Sequence, residues 1–382
     1  MHIVPPSDPI PAATAPGRSA DILVRRPTGD VAAPDPRATA FHRSLPGYEP
    51  TPVRPLPRVT TALGLGAAYA KDESDRFGLP AFKVLGASWA VWRRLTQLCG
   101  TAADPDQGWE PLRRALRDGG GPRLVAATEG NHGRAVAWVA AQLGLDATIV
   151  MSGSAAPGVV TAIEAAGAQV QPVGDGYDEA VATAEAMVRG QRDLLLIADV
   201  AHGDDDPAPH WVIDGYGTLF AELDEQLDDQ PLDAMFVPAG VGALTAAAVR
   251  HVRQRRPDTR VIAVEPLGAA CVLASLQRGR IVTLPNVDDS VMVGLNCGTP
   301  SAAAWPDLLG GVEGVVAVDD RRVSAARDLL AEDGLEVGSA GAASCAGLLE
   351  VMRGRTGAAA RRALGLDDQA RVLLLATEGS GR

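Results

Sequence analysis

From Gly121 onward, short apolar runs alternate with longer stretches whose apolar residues recur every three or four positions. The runs Leu124–Thr128, Ala147–Met151, Gln169–Val173 and Leu194–Val200 read as strands; His132–Leu143, Pro157–Ala166 and Asp178–Arg189 read as the helices between them. The rhythm resumes with a helix over Trp211–Leu227, a strand over Ala234–Pro238, a helix over Ala243–Arg253 and a strand over Val261–Glu265. Helices over Arg321–Glu332 and Gly341–Met352 and a strand over Arg371–Ala376 close the pattern. Short buried strands separated by helices mean βαβ units, so the expected fold class is α/β with mostly parallel sheets. Two blocks of sheet are implied, with Asp204-Asp205-Asp206-Pro207 as a loop between two lobes.

The N-terminal part lacks this rhythm. The first 57 residues hold 13 of the 28 prolines, which argues against regular helix or central strand there. Met1 to Arg37 is therefore expected to be a poorly ordered or surface-draped arm, and Phe41 to Val59 an extended lead-in.

Composition narrows the function. The chain has 382 residues, 46% of them hydrophobic, and a net charge of −12. That acidity argues against nucleic acid or an anionic membrane surface as the partner. No apolar run is long enough to span a bilayer, and Met1 to Arg26 lacks the basic-then-apolar signal pattern, so a cytoplasmic protein is expected. Cys99, Cys271, Cys297 and Cys345 are far apart and form no CxxC pair, which disfavours a disulfide framework or thiolate metal site.

One imbalance is sharper. Of 35 basic residues only Lys71 and Lys83 are lysines; the other 33 are arginines. A generic positive charge is met here by arginine, so a retained lysine is a candidate for chemistry that arginine lacks. An amine can lose its proton and attack a carbonyl; a guanidinium cannot. Lys83 follows the turn Gly78-Leu79-Pro80 and opens an amphipathic helix through Trp89, Trp92 and Leu95. The dipole at a helix start disfavours the ammonium, as a reactive amine requires. The plainer alternative is a surface lysine at a helix start.

Three further motifs fall at strand ends, where ligands bind in such folds. Thr128-Glu129-Gly130-Asn131-His132-Gly133-Arg134 joins a strand to a helix and offers free backbone N–H groups, the Asn131 amide and the Glu129 carboxylate. Taken alone it also reads as a simple helix cap. Gly240-Val241-Gly242-Ala243-Leu244 is a glycine turn that suits a phosphate. Gly240 and Gly242, with Glu265 ending the next strand, also imitate a nicotinamide-dinucleotide unit, although Thr245 stands where its third glycine belongs. Thr377-Glu378-Gly379 places a hydroxyl at the last strand tip, and Asp199 a carboxylate at the end of Leu194–Val200. None of the six histidines has metal-ligand spacing; His202 and His210 fall in an apparent loop.

Together these blocks resemble the fold type II pyridoxal-phosphate enzymes, the family of threonine dehydratase and tryptophan synthase β. Within it they are most similar to the diaminopropionate ammonia-lyases. The resemblance covers roughly residues 45 to 380 and is carried by Lys71-Asp72-Glu73-Ser74-x-Arg76-Phe77-Gly78-Leu79-x-Ala81-Phe82-Lys83 and by Gly130-Asn131-His132-Gly133-Arg134. Gly215-Tyr216-x-Thr218-Leu219, Ala239-Gly240-Val241-Gly242-Ala243, Gly294-Leu295-x-Cys297-Gly298 and Thr377-Glu378-Gly379 add to it.

The resemblance implies two open, twisted, mostly parallel sheets, a small lobe (88–200) inserted in a larger pyridoxal-phosphate-binding lobe (41–87 and 201–382), behind the proline-rich arm (1–40). It implies that Lys83 forms the imine with the cofactor aldehyde. Phe82 and Asn131 join the cofactor site, with Asn131 on the 3-hydroxyl; Gly240, Val241, Gly242, Ala243 and Leu244 hold the phosphate; Thr377 lies near the ring nitrogen; and Lys71 is structural. Asp199 and Glu129 fall where the lyases carry two acid–base aspartates, the glutamate being a departure. Ser339-Ala340-Gly341-Ala342 replaces a Glu-Ser-Gly-Ala run, and His202 replaces an aromatic residue. The implied reaction is β-elimination of ammonia from 2,3-diaminopropionate or a similar β-substituted amino acid, giving pyruvate, in a homodimer. β-Replacement and serine or threonine dehydration share its first half, and a nicotinamide-dependent dehydrogenase domain is the alternative from a different class.

Overall fold

The protein is described by a computed structural model covering residues 21–100, 104–128, 130–174, 176–198, 206–228 and 230–380. β1 (Ile22–Val24), α1 (Pro36–Ser44), β2 (Val53–Pro55), α2 (Pro57–Leu63) and β3 (Ala67–Asp72) precede the Lys83 segment, and α3 (Val84–Cys99) follows it. The chain then runs through α4 (Glu110–Gly119), β4 (Arg123–Ala127), α5 (Asn131–Leu143), β5 (Ala147–Ser152), α6 (Pro157–Ala165), β6 (Gln169–Val173), α7 (Tyr177–Val188) and β7 (Leu194–Leu196). After α8 (Ala208–Leu227) come β8 (Ala234–Pro238), α9 (Ala243–Arg255), β9 (Arg260–Pro266), α10 (Cys271–Arg278) and α11 (Trp305–Gly311). β10 (Val312–Val318), α12 (Asp320–Glu332), α13 (Ala343–Arg353), α14 (Gly357–Ala363) and β11 (Arg371–Ala376) complete it.

Among the described residues two sheets form. The larger has the order β1-β10-β9-β8-β11-β3-β2, and its inner strands are parallel while β1 and β2 are antiparallel edges. The smaller, β6-β5-β4-β7, is wholly parallel and lies in sequence between β3 and β8, so it is an insertion. Alternation along the strands of the large sheet feeds two cores. Leu373, Leu375, Met235, Val237, Val261 and Ala263 face the core that includes Leu219, Leu223 and Val249. Val372, Leu374, Phe236, Ile262 and Val264 face the other, with Val59, Leu63, Val323 and Leu348. No helix among the described residues is long and apolar enough to cross a membrane.

The N-terminal expectation needs correction. Residues 1–20 lie outside the described residues, but Ile22–Val24 is an edge strand on β10; α1 takes the end of the expected arm and the start of the extended lead-in, and α2 begins at the end of that lead-in, while residues 45–56 are non-helical and include β2. Each of these helices begins with a proline, Pro36 or Pro57, in its first turn. There the missing N–H costs nothing and the fixed φ suits the helix. The Asp35 carboxylate caps α1 by accepting from Arg37 N–H. Phe41 is fully buried against Trp89, Trp92 and Trp109. His42 is equally buried. Its Nε2 donates to the Leu85 carbonyl at 3.0 Å, and burial pushes the imidazole down to about 3. His210 belongs to α8 rather than to a loop.

Behind the Lys83 segment lies a buried ion network. Lys71 Nζ meets Glu222 Oε2 at 2.7 Å and also donates to the Thr51 carbonyl and to Gln226. Arg76 bonds both Glu73 and Glu222, at 2.6 Å each. Burial lowers the Lys71 pKa, and the Glu222 carboxylate opposes that shift. Lys71 is thus structural, by the same logic that makes a buried cation tolerable only with full pairing. Lys71→Ala should cost about 3–5 kcal/mol, because it takes one of two cations out of a buried network and leaves Arg76 alone against Glu73 and Glu222; the shift in urea midpoint of the apoprotein measures it.

Candidate active site

Lys83 sits at the N-cap of α3 with helical backbone angles, half-buried. What places it is the C-terminal end of β11. Ala81 forms a bridge with Glu378, and Gly379 N–H donates to the Pro80 carbonyl at 3.0 Å. On its other side the segment follows β3, whose neighbour in the sheet is β11. The helix it opens is pressed against α8: a side chain at Gly215 would strike the Leu85 carbonyl, and one at Gly86 would strike the Tyr216 ring. The Gly215-Tyr216 motif therefore serves a close helix crossing. Phe82 packs on Tyr216 with ring centroids 4.8 Å apart.

The small lobe brings Asn131 to the same place. Thr128 Oγ1 accepts from Gly130 N–H at 2.9 Å and Gly133 N–H at 3.1 Å, which shapes the turn at the start of α5. Asn131 Nδ2 then donates to Glu378 Oε2 at 2.9 Å. Next in the turn, His132 Nε2 donates to the Ile197 carbonyl at 2.8 Å, holding the end of β7 against α5. Glu129 and Asp199, the expected acid–base pair, lie outside the described residues, as does His202.

The Gly240–Leu244 loop follows β8, the other neighbour of β11. Gly242 has φ +90°, a backbone that suits glycine, and caps α9 without a side-chain hydrogen bond. The first-turn N–H groups of a helix have no partner inside it. A Cβ on Gly240 would press on Cys297 Sγ and the Gly294 carbonyl, so the Gly294–Gly298 motif packs directly under this loop. In the first turn of α9, Thr245 Oγ1 is fully buried and without a hydrogen-bond partner. An open row of N–H donors with an orphaned hydroxyl beside it fits a phosphate, and a lysine at a neighbouring strand end fits an aldehyde.

Thr377 is buried and donates to the Ala340 carbonyl at 3.3 Å, which leaves its lone pairs as acceptors. Glu378 was missed as a site residue although it stands inside the quoted Thr377-Glu378-Gly379 motif. Its carboxyl accepts from Ala340 N–H at 3.0 Å and from Asn131, and burial raises its pKa while Lys83 acts to lower it. Glu265 corrects the dinucleotide alternative. It is fully buried, and its oxygens accept from Val272 and Leu273 N–H at 2.8 Å each, capping α10 rather than facing a ribose. Burial pushes it up to about 8.

A family model for pyridoxal-phosphate dependent enzymes matches residues 45–378. The chain belongs to the pyridoxal-phosphate dependent enzyme family. The diaminopropionate ammonia-lyase of Salmonella typhimurium is 32% identical to this family member over 361 residues, 89% of this chain and 87% of that protein. The holo diaminopropionate ammonia-lyase of Escherichia coli superposes with a TM-score of 0.87 and 29% identity, covering 95% of this chain and 94% of that one. The same Escherichia coli enzyme in complex with D-serine gives 0.85 and 28%, with 95% of each chain covered. Its fold is thus that of the fold type II enzymes, and its cofactor is pyridoxal 5′-phosphate. Gly242→Ala forces a side chain into φ +90° against Leu308. It should weaken cofactor binding by about tenfold or more, the scale of 1–3 kcal/mol of backbone strain, in an equilibrium titration of the apoenzyme.

Proposed function

We propose that the protein is an ammonia-lyase that acts on 2,3-diaminopropionate or a related β-substituted amino acid and releases pyruvate and ammonia. The observation that carries this reading is the likeness to the Salmonella lyase across nearly the whole of both chains. It coincides with a site where the Lys83 segment, the Asn131 turn and the end of β11 meet. Bound pyridoxal phosphate supplies an aldehyde for an amine to attack and a ring that takes up the electron pair left at Cα. Lys83 would supply the amine that holds this group in the site. Asn131 contacts the cofactor, Gly240 to Leu244 hold the phosphate by backbone N–H groups, and Phe82 and Thr377 line the ring. Glu129 and Asp199 share the acid–base work: one takes the Cα proton and the other protonates the departing β-amine. The enamine product hydrolyses in water, so both nitrogens of diaminopropionate leave as ammonia.

The proposal extends to the whole protein. Residues 41–87 and 201–382 form the cofactor-binding domain and 88–200 the small domain, in a cytoplasmic homodimer. The experiment is detection of pyruvate and ammonia from D- and L-diaminopropionate and other amino acids with β-leaving groups. Pyruvate with both nitrogens released as ammonia supports the reading; no pyruvate from any of them, or exchange of the β-substituent, overturns it. Glu129→Gln should lower turnover by about 100-fold or more, the usual worth of a general acid or base, with cofactor affinity unchanged. Equal activity in that variant removes Glu129 from the mechanism.

A further inference from the structure

We propose that Glu378 is a positioning residue that latches the small lobe onto the large one and sets the orientation of Asn131 toward the cofactor. This rests on the pyridoxal-phosphate reading and goes beyond it, since Glu378 itself is given no contact with cofactor or substrate.

The geometry is that of a built berth. Glu378 lies two residues past the end of β11 in the large sheet, whereas Asn131 opens α5 beside the small sheet. The bond between them, at 2.9 Å, therefore crosses from one lobe to the other. The second carboxyl oxygen is held by Ala340 N–H at 3.0 Å. A Cβ on Gly338 would come within 2.6 Å of that oxygen, and one on Gly341 would strike the Glu378 carbonyl. Two glycines thus make room for this one side chain and its backbone. The bridge between Ala81 and Glu378 fixes the same residue to the segment that carries Lys83.

Both carboxyl oxygens of Glu378 act as acceptors here, Oε2 from Asn131 and Oε1 from Ala340 N–H. Glu378 therefore obliges Asn131 to turn its NH2 group toward β11 and its Oδ1 away from it. The reverse rotamer would set two acceptors against each other. Without the latch the amide can rotate, and the α5 turn loses its tie to the Lys83 strand end.

The test is a double-mutant cycle on cofactor affinity, with the dissociation constant of pyridoxal phosphate measured by titrating apoenzyme. E378A and N131A should each weaken binding by about 10- to 100-fold, the range for a hydrogen bond to a charged group. The double variant should be no weaker than the weaker single one, because both changes remove one interaction. E378Q offers one acceptor oxygen to two donors, Asn131 Nδ2 and Ala340 N–H, and should weaken binding by at least a few-fold, though by no more than E378A does. Hydrogen exchange of the apoprotein should quicken at the first turn of α5 in E378A. Should E378A fail to fold, E378Q decides: a loss of affinity that disappears when N131A is also present supports the latch, and wild-type affinity in E378Q overturns it. Additive effects in the cycle, or wild-type affinity in E378A, also overturn it. A wild-type chain that takes up no coenzyme instead removes the reading underneath.

Discussion

Lys71 is buried in the core, and the partners that make its amine tolerable there also fix the segment leading to Lys83. An isolated buried ammonium would shed its proton or destabilise the fold. Here Glu222 supplies the opposite charge, Thr51 and Gln226 supply acceptors, and Arg76 binds the remaining carboxylate oxygens. The network joins β3, α8 and the turn between β3 and α3, so the route from Asp72 to Lys83 leaves a rigid origin. That route includes Phe77 with φ 58°, a conformation costly for a side chain of this size, next to Gly78 with φ 76°. Phe77 offsets part of that cost by packing against Trp138 of the small lobe, ring centroids 5.1 Å apart. The chain has two lysines, and they are placed differently: Lys71 is buried against Glu222, Thr51 and Gln226, and Lys83 stands at a helix start where a positive charge is disfavoured.

Much of this was legible in the sequence. The apolar runs at Leu124–Ala127, Ala147–Met151, Ala234–Pro238 and Val261–Val264 mark buried parallel strands, because both faces of such strands are covered and no polar alternation interrupts them. The retained Lys83 pointed to imine chemistry because arginine had replaced every lysine but two. Proline misled the reading of the first sixty residues: its position at a helix start, not its frequency, decides its effect, and Pro36 and Pro57 both stand at helix starts. β3 escaped because Ala67-Ala68-Tyr69-Ala70-Lys71-Asp72 lacks the β-branched residues that advertise a strand; its membership is set by pairing with β11 and β2. β10 escaped too, although rich in valine, because Gly314 interrupts it, at a register shift against β9.

Glu378 was illegible for a different reason. Its role depends on Asn131, 247 positions earlier in the chain, and on two glycines that admit its carboxyl. No local pattern carries such information. The same is true of Glu265, whose spacing from Gly240 imitates a dinucleotide site while its carboxyl is spent on capping a helix. Spacing along one strand–turn–helix unit is shared by many folds; what separates them is where each carboxylate finds its hydrogen bonds.

Imine formation between Lys83 and the coenzyme aldehyde is the chemistry that everything else at the site would serve. Borohydride reduction of the enzyme in the presence of pyridoxal phosphate, followed by peptide mapping, tests it directly. A single labelled peptide containing Lys83, with Lys71 unmodified, is the predicted result. Label on Lys71, or on no lysine at all, would contradict it.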